Sequence, residues 1–221
     1  MEIERMKLPE GLQLIYEESG LTLTDGRLKL CADLREMIPR LKVNNLNGEM
    51  IVKAARIKSV EGPLRLLDAT AGFGEDSLLL AAAGFRVDLY EYDPVIGALL
   101  EDSLERAKDV QELKDAVSRM MLHKEDSIEA MGKLEEAPDV ILLDPMFPER
   151  QKSGLIKKKF QLLQRLESPC SNEEDLINAA FKAGPRRIVI KRPLKGPFLA
   201  GRKPDYSLSG RAIRYDCFHI R

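Results

Sequence analysis

Apolar and polar residues alternate strictly over residues 21–30 (LTLTDGRLKL) about the pair Asp25-Gly26. This period of two predicts a β-hairpin closed by a two-residue type I′ turn. Leu21, Leu23, Leu28 and Leu30 would share one face, and the threonines, Arg27 and Lys29 the other. A polar stretch with Asn44, Asn45, Asn47 and Gly48 follows. From Glu49 to Lys58 the period changes to that of a helix, with Met50, Ile51, Ala54 and Ile57 on one side. Gly62-Pro63 then interrupts the pattern and predicts a boundary, giving an N-terminal hairpin-plus-helix subdomain over 1–60 and a larger domain over 61–221.

Beyond that break, short apolar runs alternate with helical segments. Strands are predicted at Leu64–Asp68, Val87–Glu91, Met120–His123, Val140–Asp144, Arg187–Ile190 and Ala212–Ile220. Helices are predicted at Asp76–Ala83, ending at Gly84, at Pro94–Lys108 with proline in the first turn, and at Asn172–Ala183 with Ser171 or Asn172 as its cap. Such β-α alternation implies an α/β fold with a doubly wound, mostly parallel sheet covered by helices on both faces.

Composition narrows the function classes. With 44% hydrophobic and 32% charged residues the chain has enough apolar material for a core. There is no Trp and only 5% of residues are aromatic, which argues against aromatic cages and stacked single-strand platforms. Cys31, Cys170 and Cys217 lie far apart without a C-x-x-C pair, so neither a zinc knuckle nor a disulfide framework is expected, and no metal is. The longest apolar run, Leu78 to Phe85, is far short of the roughly 20 residues needed to span a bilayer. No secretory signal follows the charged first residues. The expectation is a soluble, cytoplasmic protein without a membrane partner.

The formal charge of −1 conceals a strong local asymmetry. Residues 101–139 carry twelve acids against six bases, whereas 150–165 carry six bases and 186–203 seven, both without an acid. If both basic stretches lie at the carboxyl ends of strands, where open α/β sheets bind ligands, they form a rim suited to phosphates. Lys152, Lys157, Lys158, Lys191 and Arg192 are the candidate contacts, although a run such as 157–159 is also what a solvated helix face looks like.

Two loops carry candidate chemistry. Residues 68–76 (DATAGFGED) join the first strand of the larger domain to its first helix, and Gly72 and Gly74 permit tight turning and close ligand approach. Asp68, Glu75 and Asp76 place negative charge there, which repels a pyrophosphate and attracts a cationic ligand such as S-adenosylmethionine (SAM). Glu91 ends the next strand 17 residues after Gly74, near the spacing of an acid that accepts from ribose hydroxyls. Asp126 and Ser127 follow the third strand, within reach of an adenine amino group. The ordinary alternative for Glu91 and Asp126 is a helix cap or loop acid.

The second loop, residues 144–148 (DPMFP), closes the fourth strand with an acid, a proline and an aromatic residue. It is similar to the D/N-P-P-Y/F signature of methyltransferases that act on planar exocyclic amines. The lone pair of such an amine is delocalised into the ring. The Asp144 carboxylate and the Pro145 carbonyl can accept its two hydrogens and turn that pair toward a methyl donor, while Phe147 stacks on the base. A plain strand terminator with a core phenylalanine is the alternative. No G-x-S-x-G is present, and His123 and His219, the only histidines, read as structural.

The residues together resemble the small-subunit ribosomal RNA guanine-N2 methyltransferase J family. The resemblance runs from about Leu64 to Phe218. It is carried by 68–76, by Ala82–Gly84, by Pro94-Val95 with Ala98–Leu100, by 144–148 followed by Gln151–Ser153 and Lys157-Lys158, by 189–193 (VIKRP) and by 214–218 (RYDCF). It implies a class I, Rossmann-like methyltransferase fold, SAM as donor and a guanosine amine of small-subunit rRNA, free or in the ribosomal subunit, as acceptor. The family's SAM-contact positions fall on Glu75, Asp76, Glu91, Tyr92, Asp126, Ser127 and Asp144. Glu75 stands where arginine is usual, Tyr92 replaces a basic residue, and 44–49 (NNLNGE) replaces a Gly/Arg-rich stretch. The competing functions are methylation of another base amine, such as adenine N6 in RNA or DNA, and a catalytically silent RNA-binding or assembly factor on the same fold.

Overall fold

The computed structural model describes residues 6–145, 161–163, 165–166 and 172–220, and all structural statements concern these. A seven-stranded sheet forms the centre: β4 (Arg65–Asp68), β5 (Arg86–Tyr90), β6 (Met120–His123), β7 (Val140–Leu143), β8 (Arg187–Pro193), β9 (Tyr206–Ser209) and β10 (Ile213–His219). Their order across the sheet is β6-β5-β4-β7-β8-β10-β9. Pairings from β6 through β8 are parallel, and β10 runs antiparallel to both β8 and β9. The order reverses at β4, whose two neighbours are β5 and β7, so a crevice opens there at the carboxyl edge.

The period of two sorts the strand side chains into two cores. Leu66, Leu142, Val189, Tyr215 and Cys217 face one side with α3 (Met50–Ala55), α4 (Glu75–Ala82) and α6 (Lys114–Val117). Leu67, Ile141, Leu143, Ile188 and Ile190 face the other, under α7 (Ser127–Met131) and α8 (Glu173–Lys182). Helices therefore cover both faces, as the β-α alternation implies. The long helix α5 (Pro94–Ala107) shares the first face through Leu100, Leu104 and Ala107.

The N-terminal segment adds a three-stranded antiparallel sheet, β1 (Gln13–Glu17), β2 (Gly20–Thr24) and β3 (Lys29–Cys31), and two single-turn helices, α1 (Ile38–Leu41) and α2 (Val43–Leu46). Strand β1 has no counterpart in the sequence reading, because QLIYE breaks strict alternation with two adjacent apolar residues. The hairpin of β2 and β3 exists, but its loop holds four residues, Asp25 to Leu28. Leu23 pairs with Leu30 and Thr24 with Lys29, two residues out of the register of a type I′ turn. The cause is the Asp25 side chain, whose Oδ1 accepts from the Arg27 and Leu28 amides at 2.9 and 2.8 Å and builds a longer turn. A shift of two preserves the faces, so Leu21, Leu23 and Leu30 are still buried. The polar stretch around Asn44 is partly helical, and α3 stops at Ala55 instead of reaching Lys58.

This segment has no core to itself. Leu12, Leu21, Leu23 and Leu30 pack on Val95, Ile96 and Leu99 of α5, while Leu34, Met37 and Ile51 join the core beneath α4. Polar bonds fasten the same contact. Leu21 N–H donates to Asp102 at 3.0 Å, Leu34 N–H to Ser103 Oγ at 3.2 Å, and Arg106 to the Ala32 carbonyl.

Candidate active site

The loop after β4 is strung between the two strands that flank it. Ala69 N–H donates to Leu142 of β7 at 3.0 Å and Ala71 N–H to Tyr90 of β5 at 3.1 Å. Inside it, Asp68 is 2% exposed, and its two oxygens accept from Thr70 N–H at 3.1 Å and from Ser77 hydroxyl at 2.6 Å. Both oxygens are used in shaping the loop, and burial pushes this carboxyl up to about 6. Gly72 and Gly74 adopt positive φ, 54° and 73°. A Cβ on Gly74 would lie 2.9 Å from Leu100, whereas one on Gly72 would enter open space, so the loop's free side faces the crevice. Glu75 and Asp76 begin α4, where the helix dipole favours their charge.

Glu91 follows β5 and is 7% exposed. It accepts from Gly72 N–H at 3.0 Å through Oε2 and from Asp93 N–H at 2.9 Å through Oε1, joining the glycine loop to the start of α5. Desolvation drives its pKa up to about 7, against the two amides that favour the anion. Each oxygen keeps a lone pair for a further donor. Tyr92, next along, is 66% exposed. Asp126 caps α7 by accepting from Ile128 N–H at 2.7 Å, and Ser127 beside it is buried. The capping reading of Asp126 is thus realised, with the residue still exposed at the same edge.

Asp144 and buried Pro145 follow the last residue of β7. The Asp144 amide donates to Thr70 Oγ1 at 2.6 Å, a tether for which the sequence offered no signal. The Asp144 carboxylate meets Lys191 Nζ at 2.9 Å, and the same ammonium lies 2.7 Å from Asp76. Burial raises the Asp144 pKa while Lys191 opposes that rise; the two anions hold Lys191 well above the usual lysine range. The acidic loop is therefore less anionic than its sequence suggests, since Asp76 is paired and Asp68 is buried with a raised pKa. Phe147, Lys152, Lys157 and Lys158 lie outside the described residues.

The second basic stretch does not form one rim. Strand β8 is seven residues long, so its ends lie on opposite edges of the sheet. Arg186 and Arg187 stand at the amino edge, on Asp139 and on the carbonyls of Ala54 and Arg56. Arg192 is 1% exposed and donates to the Pro197 carbonyl, so it supports the loop after β8 and is not a surface phosphate contact. Lys191 is engaged by the two carboxylates. His123 stacks on Tyr90 and pairs with Asp88, the structural role expected of it. Among the described residues no group of His, Cys, Asp and Glu is arranged to hold a metal, and no helix is long and apolar enough to cross a membrane.

The set of acceptors suits a cationic nucleoside. Glu91 accepts at the end of β5, with the glycine loop after β4 on one side of it and Asp126 and Ser127 after β6 on the other. The family profile described as "Putative SAM-dependent methyltransferase" matches residues 6–220. A "Ribosomal RNA small subunit methyltransferase J" of Marinobacter nauticus is 39% identical over 218 residues, covering 96% of this chain and 78% of that protein. The chain belongs to the ribosomal RNA small subunit methyltransferase J family. A Pseudomonas fluorescens member is 44% identical over 173 residues, which cover 78% of this chain and 66% of the relative, so the chain matches just under two thirds of that longer protein. A solved SAM-dependent methyltransferase of Neisseria gonorrhoeae, NGO1261, superposes with a TM-score of 0.77 at 30% identity, covering 97% of this chain and 85% of that one. The J-family chain described here thus has the class I methyltransferase fold, and SAM is its cofactor.

Proposed function

We propose that this chain methylates the exocyclic N2 amine of a guanosine in small-subunit rRNA. The observation that carries the reading is the corner at the end of β7. Asp144 is fixed at its amide by Thr70 and at Oδ2 by Lys191, and Oδ1 has no partner among the described residues. An acceptor held at the crevice and followed by a rigid proline suits an amine with two hydrogens to give away. SAM supplies a methyl group on a sulfonium, whose C–S bonding electrons leave with the sulfur. Glu91 accepts from the ribose hydroxyls, and Asp126 and Ser127 address the adenine. Asp144 and the Pro145 carbonyl accept the two N2 hydrogens, orient the lone pair for in-line attack and stabilise the positive charge that develops on nitrogen; one of those hydrogens then leaves as a proton through Asp144. Phe147 stacks on the guanine, and Lys152, Lys157 and Lys158 hold phosphates, a grip that weakens with salt. The names borne by the relatives support rRNA as substrate, and a ribosomal substrate implies work in the cytoplasm.

Mass-spectrometric mapping of small-subunit rRNA from cells lacking the protein tests this. One N2-methylguanosine should disappear, return with the wild-type gene and stay absent with Asp144→Ala. An unchanged guanosine profile with loss of an N6-methyladenosine would transfer the activity to the other amine.

A further inference from the structure

We infer that Lys191 is a positioning residue for methyl transfer: its ammonium bridges Asp76 of the cofactor loop and Asp144 of the acceptor corner, and so sets the distance between the two halves of the site. The distances are 2.7 Å to Asp76 Oδ2 and 2.9 Å to Asp144 Oδ2. The fold puts the lysine there by register. Residue 190 pairs with 143 across β7 and β8, so Lys191 and Asp144 are the next residues past the paired ends. Lys191 also follows Val189 on the face that carries α4, where Asp76 occupies the first turn. Tyr215 of β10 stands opposite Lys191 in the antiparallel ladder and walls the same face.

The bridge adds a polar tie at the crevice edge to three elements, α4, β7 and β8, that otherwise meet through the apolar core beneath α4 and the β7–β8 ladder. Its surroundings do not compete for the ammonium. Arg40 faces Asp76 and Tyr215 from the N-terminal segment but is bonded to Glu49 at 2.7 and 2.8 Å. Arg192 donates to the Pro197 carbonyl, lies 3.6 Å from Glu173 and acts on Asp144 more weakly than Lys191 does, and Asp68 is closed by Thr70 and Ser77. Lys191 therefore holds one oxygen of Asp144 and favours its ionised form against the burial that raises its pKa. The other oxygen is left for the acceptor amine. This differs from a phosphate contact, which would need the ammonium free of carboxylates. A lysine suits the task because a compact charge on a flexible stem can sit between two oxygens.

The inference rests on the acceptor role proposed for Asp144, and the two fail differently. The assay measures transfer from SAM to small ribosomal subunits isolated from cells lacking the protein, across pH and salt, for wild type, Lys191→Met, Lys191→Arg and Asp144→Asn. A positioning role predicts that Lys191→Met lowers kcat by about 10²-fold, the cost of a misplaced reacting group. KM for the subunit should stay within about threefold with an unchanged salt slope. The acid limb of the rate profile should move to higher pH, and Lys191→Arg should recover most of the rate. Carboxyl 13C NMR of the protein alone supplies a readout apart from activity: the Asp144 titration should move upward in Lys191→Met. A raised, salt-dependent KM with kcat preserved, or an unmoved Asp144 titration, overturns the inference in favour of a phosphate contact. A fully active Asp144→Asn overturns the acceptor role itself. Thermal melts check folding, and should the methionine variant not fold, Lys191→Gln carries the same measurements.

Discussion

The two sides of the crevice hold their carboxylates by opposite means. On the cofactor side, Asp68 and Glu91 are held by neutral donors, backbone amides and one hydroxyl, and desolvation raises both to about 6 and about 7. On the acceptor side, Asp144 meets a full positive charge at 2.9 Å. Neutral donors fix a carboxylate's place but leave its charge sensitive to pH and to a ligand that brings further donors. An ammonium fixes place and charge together. On the proposed function, the first arrangement suits a pocket that responds to a cofactor's donors, and the second an acceptor corner whose charge is supported against burial.

Substitutions on the two sides should separate accordingly. The largest effect is expected from Asp144→Asn, which keeps the shape and removes the charge. Its kcat should fall about 10²–10³-fold, as for loss of one preorganised transition-state contact, with the SAM dissociation constant within about threefold by calorimetry. Equal loss of SAM affinity would place Asp144 on the cofactor side as well. Next, Glu91→Ala should weaken SAM by about tenfold or more, the worth of hydrogen bonds to a charged group. Ribose hydroxyls donate to the ionised form, so wild-type affinity should rise as pH increases through about 7, with a proton released on binding. Glu91→Gln should lose that dependence, and a pH-independent wild type would remove Glu91 from the ribose.

A third effect concerns the free protein. A carboxyl raised by folding stabilises the native state below its unfolded pKa, and that contribution is lost as pH climbs through the folded value. For Asp68 and Glu91 the window runs from about 4 to about 7, so the melting temperature of the free protein should decline across it. Asp68→Asn and Glu91→Gln should each flatten the decline. The smallest expected changes are at two glycines, of which Gly74→Ala is the larger because it puts a Cβ at φ 73° and 2.9 Å from Leu100. It should cost about 1–3 kcal/mol in denaturant unfolding, while Gly84→Ala, strained only in its backbone, should cost less.

Much of this architecture was legible in periodicity. Runs such as 140–144 and 120–123 are short, apolar and bounded, and they became β7 and β6 with at most one residue of difference. The turn from β4 into α4 was legible because Gly72 and Gly74 interrupt the pattern between a short apolar run and a helical one. What escaped depends on side chains meeting across the fold. Asp25 lengthened its turn by accepting two local amides, which a two-residue motif does not reveal. Thr70 is unremarkable in sequence yet tethers Asp144. Lys191 counted as one base among seven because linear charge counting omits partners 47 and 115 residues away. The same counting merged Arg186 and Lys191, which a strand carries to opposite edges of the sheet.

Helix α5 is clasped from two directions. One flank carries the small N-terminal sheet, and its first turn is capped by Asp93, whose amide Glu91 holds. Stripping away the first thirty-odd residues would expose Val95, Ile96 and Leu99 to water directly behind that cap. Such a shortened protein should bind SAM more weakly in calorimetry, because the start of α5, capped by Asp93 and tied to Glu91, would then stand on an uncovered apolar flank.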